Sequence, residues 1–113
     1  MHARVWQLRV RLGKLEEFKN ALHSLIPAAQ QQSGFLGVLA LGSGERGVSD
    51  ISLIALWESL GALRASEHNM LVAQAISRFV SCCEGFPQIQ EREVLASDFP
   101  LPSKQAAWSG RVI

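Results

Sequence analysis

The chain has 113 residues, with 48% hydrophobic residues, 19% charged residues and a formal net charge of +1, which fits one folded domain rather than a disordered chain. Lys and Arg are scattered along the sequence, so nucleic acid is not an expected partner. No apolar run is long enough to cross a membrane and the N-terminus lacks a signal-peptide segment, so we expect a cytoplasmic protein.

The first two predicted elements are a strand and an amphipathic helix. Alternating apolar residues indicate a half-buried strand over residues 3–12: Trp6, Leu8, Val10 and Leu12. Apolar residues at helical spacing then indicate a helix: Leu15, Phe18, Leu22, Leu25 and Ala29. Pro27 removes a backbone hydrogen bond late in this helix, so a kink or an end is expected there, with Gly34 as the residue that follows the helix.

Two strands that are apolar on both faces are predicted next, at residues 35–41 and 51–57. The connection between them contains Gly42-Ser-Gly-Glu-Arg-Gly47, which matches the spacing of a dinucleotide-binding loop. Such a loop must lead into a helix whose N-terminal amides hold pyrophosphate, whereas a strand follows here. We therefore interpret these glycines as a hairpin turn.

Two short helices and a polar strand complete the predicted order. Ser59 and Asn69 are suitable N-caps on either side of a break at residues 67–69. The second of these helices has an apolar stripe of Val72, Ile76, Phe79 and Cys83, and it ends before Gly85 and Pro87. Residues 88–96 are polar on both faces, which suits a strand at the edge of the sheet.

The two cysteines, Cys82 and Cys83, are adjacent. Adjacent cysteines rarely form a disulfide, and this pair lacks the spacing of a zinc or redox site. We expect two small buried side chains in a helix. The three histidines lack metal-ligand spacing as well, so no metal site is predicted.

The order β-α-β-β-α-β predicts an α+β, ferredoxin-like domain with a four-stranded antiparallel sheet and helices on one face. This domain is expected to span residues 1–97. Residues 98–113 form a C-terminal tail in which Pro100 and Pro102 disfavour a central strand. Trp108 either docks on the domain or belongs to a disordered end.

The second and third strands leave an apolar second face that the two helical regions cannot cover. An exposed patch of that size is unusual for a monomer. We therefore expect a homodimer in which the sheets of two copies pack face to face.

Four segments of the sequence carry a family resemblance: Leu-Gly-Lys-Leu-Glu-Glu-Phe (12–18), Gln-Ser-Gly-Phe-Leu-Gly (32–37), Leu-Trp-Glu-Ser-Leu-Gly-Ala-Leu (56–63) and Glu-Val-Leu (93–95). Together these segments resemble the antibiotic biosynthesis monooxygenase domain of the dimeric α+β barrel superfamily. The resemblance covers about residues 3 to 96 and implies a ferredoxin-like fold that dimerises through its sheets. It also implies either oxygenation of quinols and polyphenols without a cofactor or degradation of haem.

The family's functional residues match this sequence at one position. The resemblance implies that Trp57 contacts a substrate, whereas Leu53 and Leu63 stand where the antibiotic-tailoring branch has an asparagine and a tyrosine. In the haem-degrading branch, the iron-binding histidine would fall near Ile76 and the haem-distorting tryptophan near Ser66. Haem degradation is therefore disfavoured, and no cofactor is expected.

Two hypotheses of function follow. In the first, the chain is a cofactor-independent monooxygenase for a small aromatic or quinol-like substrate, with Trp57 in the pocket and His68 as general acid–base residue. The other predicted substrate-binding residues are Trp6, Leu53, Leu63 and Phe79. In the second, the same fold is a non-catalytic ligand-binding or assembly module, with isomerase-type chemistry in the same cavity as a further alternative.

Overall fold

The chain forms seven elements in the order predicted for a ferredoxin-like fold. The computed structural model describes residues 1–42 and 49–97. Its strands and helices are β1 (His2–Val10), α1 (Leu15–Gln30), β2 (Phe35–Gly42), β3 (Ser49–Trp57), α2 (Leu60–Ser66), α3 (Met70–Val80) and β4 (Gln88–Glu93). The expected α+β class is confirmed, while most of the glycine-rich turn and the predicted 98–113 tail lie outside the described residues.

The four strands form one antiparallel sheet in the order β2-β3-β1-β4. The central pair β1 and β3 is in register from His2 opposite Trp57 to Val10 opposite Ser49. All six residues of β4 are exposed, as its polar pattern predicts for an edge strand.

The helix-covered face of the sheet contains two groups of buried side chains. The larger group, which we name the packed cluster, is centred on Val10, Phe18 and Phe79. Phe79 makes edge-to-face contacts with Trp6 at 5.3 Å and with Phe18 at 6.0 Å between ring centroids. The smaller group, the end cluster, consists of Ala29, Phe35, Trp57 and Leu63, and its two aromatic rings meet edge to face at 5.2 Å.

The opposite face of the sheet, which we name the open face, is also apolar at its centre. Ile54 of β3 lies between two apolar neighbours there: Val5 is opposite it on β1, and Leu39 is opposite it on β2. Leu39 and Leu41 are 55% and 51% exposed, which is high for large apolar side chains in a sheet. Polar pairs border this patch, among them Arg9 with Asp50 at 3.2 Å.

Both predicted helix N-caps are confirmed. Ser59 Oγ accepts a hydrogen bond from the backbone N–H of Ala62 at 3.1 Å, and Asn69 Oδ1 accepts one from Val72 at 3.0 Å. These bonds satisfy amide groups that have no partner inside the helix. They fix where α2 and α3 begin, and thus the position of the turn between them.

Two of the element ends expected for the first strand and helix are wrong. Helix α1 does not end at Pro27 but continues to Gln30, because the buried side chains of Leu25 and Ala29 hold both sides of the proline against the sheet. Strand β1 ends at Val10, so Leu12 lies beyond the strand and is exposed.

Gly34 and the cysteines also lie in surroundings other than those expected. Gly34 lies beyond the cap of α1, with a φ of +83°, and a Cβ there would be 2.6 Å from the Cβ of Ala62. Its role is a left-handed turn and a close approach to α2. Cys82 and Cys83 are buried as expected, but they follow the end of α3 instead of lying within it. The backbone of Cys83 forms an isolated antiparallel β-bridge with that of Val10.

Candidate functional site

A cavity lies where the packed cluster and the end cluster meet, between the sheet and the helices. On the sheet side its walls include Trp6, Phe35, Leu53 and Trp57, and on the helix side Leu25, Val72 and Ile76. We name it the Trp57 cavity. Its walls are mostly apolar and aromatic, which is typical of sites for small organic ligands.

The Trp57 cavity is tight. Its volume is about 40 Å³, within about 490 Å³ of atom-free space that includes the open mouth. An apolar cavity of roughly 150 Å³ holds one benzene molecule. A ring-sized ligand would therefore have to occupy part of the mouth or displace side chains of the wall.

One charged residue, Arg4 of β1, belongs to the described wall of the cavity. Its side chain is only 15% exposed, and its Nη2 donates to Glu91 Oε1 at 3.1 Å and also to Glu67 Oε1. Arg64 Nη2 is 3.5 Å from the other oxygen of Glu91. These four residues, two cations and two anions, form a charge cluster that links β1 and β4 with α2 and the turn after it.

Hydrogen bonding within this cluster affects the ionisation of Glu91. The hydrogen bond from Arg4 is the largest influence and lowers the pKa of Glu91 below its ordinary value; partial desolvation opposes this and the charge of Arg64 adds to it. Glu91 therefore stays ionised at neutral pH. Its carboxylate holds the Nη2 end of Arg4.

The remaining polar groups near the cavity differ in how well they are hydrogen-bonded. Ser66 Oγ donates to the carbonyl oxygen of Leu63 at 2.6 Å, so its proton is already used. Two buried side-chain nitrogens, Arg4 Nε and His2 Nδ1, have no hydrogen-bond partner among the described residues. Both belong to β1, and their alternate positions put them on the same face of that strand.

The structure brings three of the predicted substrate-binding residues together. Trp6, Leu53 and Trp57 all line the cavity. Leu63 and Phe79 are fully buried in the end cluster and the packed cluster, outside the described lining. Their contribution is to hold the wall in place rather than to form it.

His68 lies away from the cavity wall. It is exposed in the turn between α2 and α3, where its backbone N–H donates to the carbonyl oxygen of Ala65 at 3.2 Å. The residue before it, Glu67, is the one that reaches Arg4. A catalytic role for His68 stays a prediction, and the position of its side chain does not favour it.

Sequence reasoning missed Arg4 and its carboxylate partners. The sequence contained a signal for Arg4, because its position in the alternating strand puts it on the same face as Trp6, Leu8 and Val10. A charged residue on the buried face of a strand needs partners, and such residues often mark functional sites. The partners themselves, at positions 67 and 91, have no sequence signature because they are remote in the chain.

No group of three metal-binding side chains occurs within residues 1–42 and 49–97.

Burial raises the pKa of the Cys83 thiol, and the neighbouring Cys82 raises it further, while Arg11 acts in the opposite direction. This thiol therefore stays protonated at neutral pH and is a poor nucleophile. Within the same ranges, no helix is long and apolar enough to span a membrane.

No family model and no curated protein matches the sequence. The fold does match solved structures. A protein from Nitrosomonas europaea that carries the provisional name antibiotic biosynthesis monooxygenase superposes with a TM-score of 0.73 at 14% identity, over 85% of this chain and 100% of that one. The chain therefore has the fold of antibiotic biosynthesis monooxygenase domains, as the sequence resemblance predicts.

Two further matches are an oxygenase and a protein with a bound metalloporphyrin. A variant of SnoaB, a cofactor-independent oxygenase from Streptomyces nogalater, matches with a TM-score of 0.72 at 14% identity, over 85% of this chain and 94% of that one. A variant of MhuD with two manganese protoporphyrin IX molecules per active site matches with a TM-score of 0.68 at 22% identity, over 88% of this chain and 100% of that one. At such identities the likeness defines the fold alone.

Proposed function

We propose that the chain is a small monooxygenase that binds an aromatic, quinol-like substrate in the Trp57 cavity and needs no bound cofactor. The observation that carries this proposal is the apolar cavity with two tryptophans in its wall. Indole rings provide large flat surfaces against which an aromatic ring can pack. The similarity of the fold to SnoaB, a cofactor-independent oxygenase, supports the same reaction class.

The proposed reaction requires little machinery from the protein. An electron-rich phenol is deprotonated, and its anion transfers electrons to dioxygen. One oxygen atom bonds to the ring carbon opposite the hydroxyl group and the other leaves as water, so that phenol and O₂ give a quinone and H₂O. The protein would orient the ring, exclude water and stabilise the anion.

Haem does not fit the described wall of the cavity. Iron in haem proteins is held by His, Cys, Met or Tyr side chains, and the described lining contains none of these. Ile76 stands where the family resemblance would require the histidine ligand, and its side chain has no donor atom. The proposed reaction therefore does not involve haem.

A non-catalytic ligand-binding module is the second candidate function. It is favoured by the wall itself, because the guanidinium group of Arg4 has hydrogen-bond donors but no acceptor and the Ser66 hydroxyl is bonded to a backbone carbonyl. Neither group is a ready proton acceptor. In this alternative, an aromatic ligand binds in the same cavity without turnover, and isomerase-type chemistry would lack a base for the same reason.

Oxygen uptake with a panel of electron-rich phenols and naphthols, each with hydrogen at the ring carbon opposite the hydroxyl group, distinguishes the two candidates. We expect uptake by the wild-type protein and its loss in Ile76→Phe, which fills the cavity. Ligand binding without uptake would instead support the non-catalytic module. His68→Ala tests the base predicted from sequence: a large loss of uptake supports that role, and an unchanged rate excludes it.

We also propose that the chain is a homodimer formed through the open face. This proposal rests on the half-exposed leucines of β2 and on the apolar residues Val5, Ile54 and Leu56 beside them. A second copy of the same sheet would cover this patch by face-to-face packing. We propose further that the domain that dimerises comprises residues 1–97.

Light scattering coupled to gel filtration tests the homodimer. We expect twice the chain mass for the wild-type protein and the mass of one chain for the double variant Leu39→Lys, Leu41→Lys. Phe86→Lys is the matched control, because Phe86 is 97% exposed in the loop before β4, outside the open face. A wild-type monomer at micromolar concentration would contradict the proposal.

A further inference from the structure

We propose that Arg4 is the specificity-determining residue of the Trp57 cavity and that it selects aromatic ligands carrying an ionised oxygen. The inference rests on the proposed function, since it takes an aromatic occupant of the cavity as given. It adds a chemical class, an acidic phenol or enol in its anionic form. It also adds a residue that the family resemblance does not assign.

The first observation is the position of the guanidinium group. Arg4 is on the helix-covered face of a central strand, between His2 and Trp6 in the alternating pattern, and it lines a wall in which Ser66 is the one other polar residue among those described. Only 15% of its side chain is exposed. A buried cation is costly unless its donors find acceptors, so every N–H of Arg4 matters to the chemistry of the cavity.

The second observation is that one buried donor of Arg4 has no acceptor. Glu67 and Glu91 both accept from the same nitrogen, Nη2. Nε is buried and has no hydrogen-bond partner among the described residues. An apolar ligand would leave this N–H unpaired, whereas a ligand that displaces wall side chains and places an oxygen against Nε would satisfy the donor.

The third observation concerns charge. The carboxylates of Glu67 and Glu91 are balanced by Arg4 and Arg64, so the cluster as a whole has no excess negative charge to repel an anion. An arginine also stays charged throughout the accessible pH range. A hydrogen bond from such a group to an ionised oxygen is stronger than one to a neutral acceptor, which gives the preference for the anion.

The test uses two ring systems of nearly equal size. At neutral pH 2-hydroxy-1,4-naphthoquinone is an anion, whereas 2-methoxy-1,4-naphthoquinone is neutral. Calorimetric titration of the wild-type protein should give an affinity for the anion at least about tenfold higher than for the ether. Arg4→Met and Arg4→Gln should reduce that ratio to about one while the ether binds as before.

Arg64→Met is the matched control, because it removes a positive charge from the same cluster but not from the described cavity wall. It should keep the preference for the anion, and loss of the preference there would overturn the role of Arg4 in favour of general electrostatics. Equal binding of the two probes by the wild-type protein also overturns the inference and leaves the aromatic cavity intact. Binding of neither probe overturns the proposed cavity function together with the inference.

Discussion

The packed cluster and the end cluster of the helix-covered face contain the same kinds of side chain but differ in how completely those side chains are packed. In the packed cluster, Phe79 contacts two other aromatic rings edge to face, and Val10 beside it is completely buried. Near the end cluster, Phe35 and Trp57 also meet edge to face, but a cavity with an arginine in its wall opens beside them.

This difference in packing suggests that one region mainly stabilises the fold, whereas the other can bind a ligand. Side chains at the centre of the packed cluster, such as Phe18 and Phe79, are fully buried and lie outside the described lining of the cavity, so a truncation there leaves a void that the surrounding structure cannot fill. Side chains at the cavity already lack neighbours on one side, so they can change size at lower cost. The fold therefore depends more on the packed cluster, and a ligand can be accommodated beside the end cluster.

The largest expected effect comes from removing the central ring of the packed cluster. Phe79→Ala should lower the free energy of unfolding by about 3–5 kcal/mol, as measured by urea denaturation. Ile76→Ala, on the same helix but at the cavity, should cost less than about 2 kcal/mol. Equal losses in the two variants would contradict the distinction between the halves.

A backbone change next to the end cluster should have the second largest effect. Gly34→Ala places a Cβ 2.6 Å from that of Ala62 and forces a residue with a side chain into a φ of +83°. We expect a loss of about 2–3 kcal/mol in thermal or urea unfolding. Adding Ala62→Gly relieves the overlap but not the dihedral strain, so the double variant should recover only part of the loss.

Enlarged side chains on α3 provide a smaller and more direct comparison. Ala75→Leu adds volume in the packed cluster and should cost about 1–3 kcal/mol of unfolding free energy. Ile76→Phe adds volume at the cavity and should cost less than about 1 kcal/mol, while it abolishes naphthoquinone binding. A cost for Ile76→Phe as large as that for Ala75→Leu would mean that the cavity cannot be filled without strain.

The smallest expected effect is the pH dependence contributed by the charge cluster. Because the folded-state pKa of Glu91 is lowered, its stabilising contribution is present above the ordinary glutamate pKa and is lost as the pH falls through the lower folded value. The difference in melting temperature between the wild-type protein and Glu91→Gln should therefore be larger at pH 7 than at pH 3. Glu93→Gln, on the same strand, should show no such change.

Sequence reasoning located most of the fold because its signals are local. The alternation in β1, the helical spacing in α1 and the caps at Ser59 and Asn69 each involve residues a few positions apart. The errors arose where tertiary contacts outweighed local preference. Helix α1 passes through Pro27 because buried residues on both sides hold it to the sheet.

The site was harder to predict, because a cavity wall combines residues from distant parts of the chain. Trp57 was identified through its family resemblance, and Trp6 and Leu53 lie in the wall with it. His68 was chosen for its chemistry and its position in a turn, but its side chain is exposed and outside the described lining. No local pattern gives the direction of a side chain in a turn.

The sequence by itself determined the order of strands and helices and the apolar character of both sheet faces, because period and capping are short-range properties. Only the tertiary structure decided which of these residues surround a cavity. It also decided that Arg4 would share one nitrogen between two carboxylates that lie 63 and 87 positions away in the chain. The physical reason is that hydrogen bonds and packing act between neighbours in space, and folding alone makes those residues neighbours.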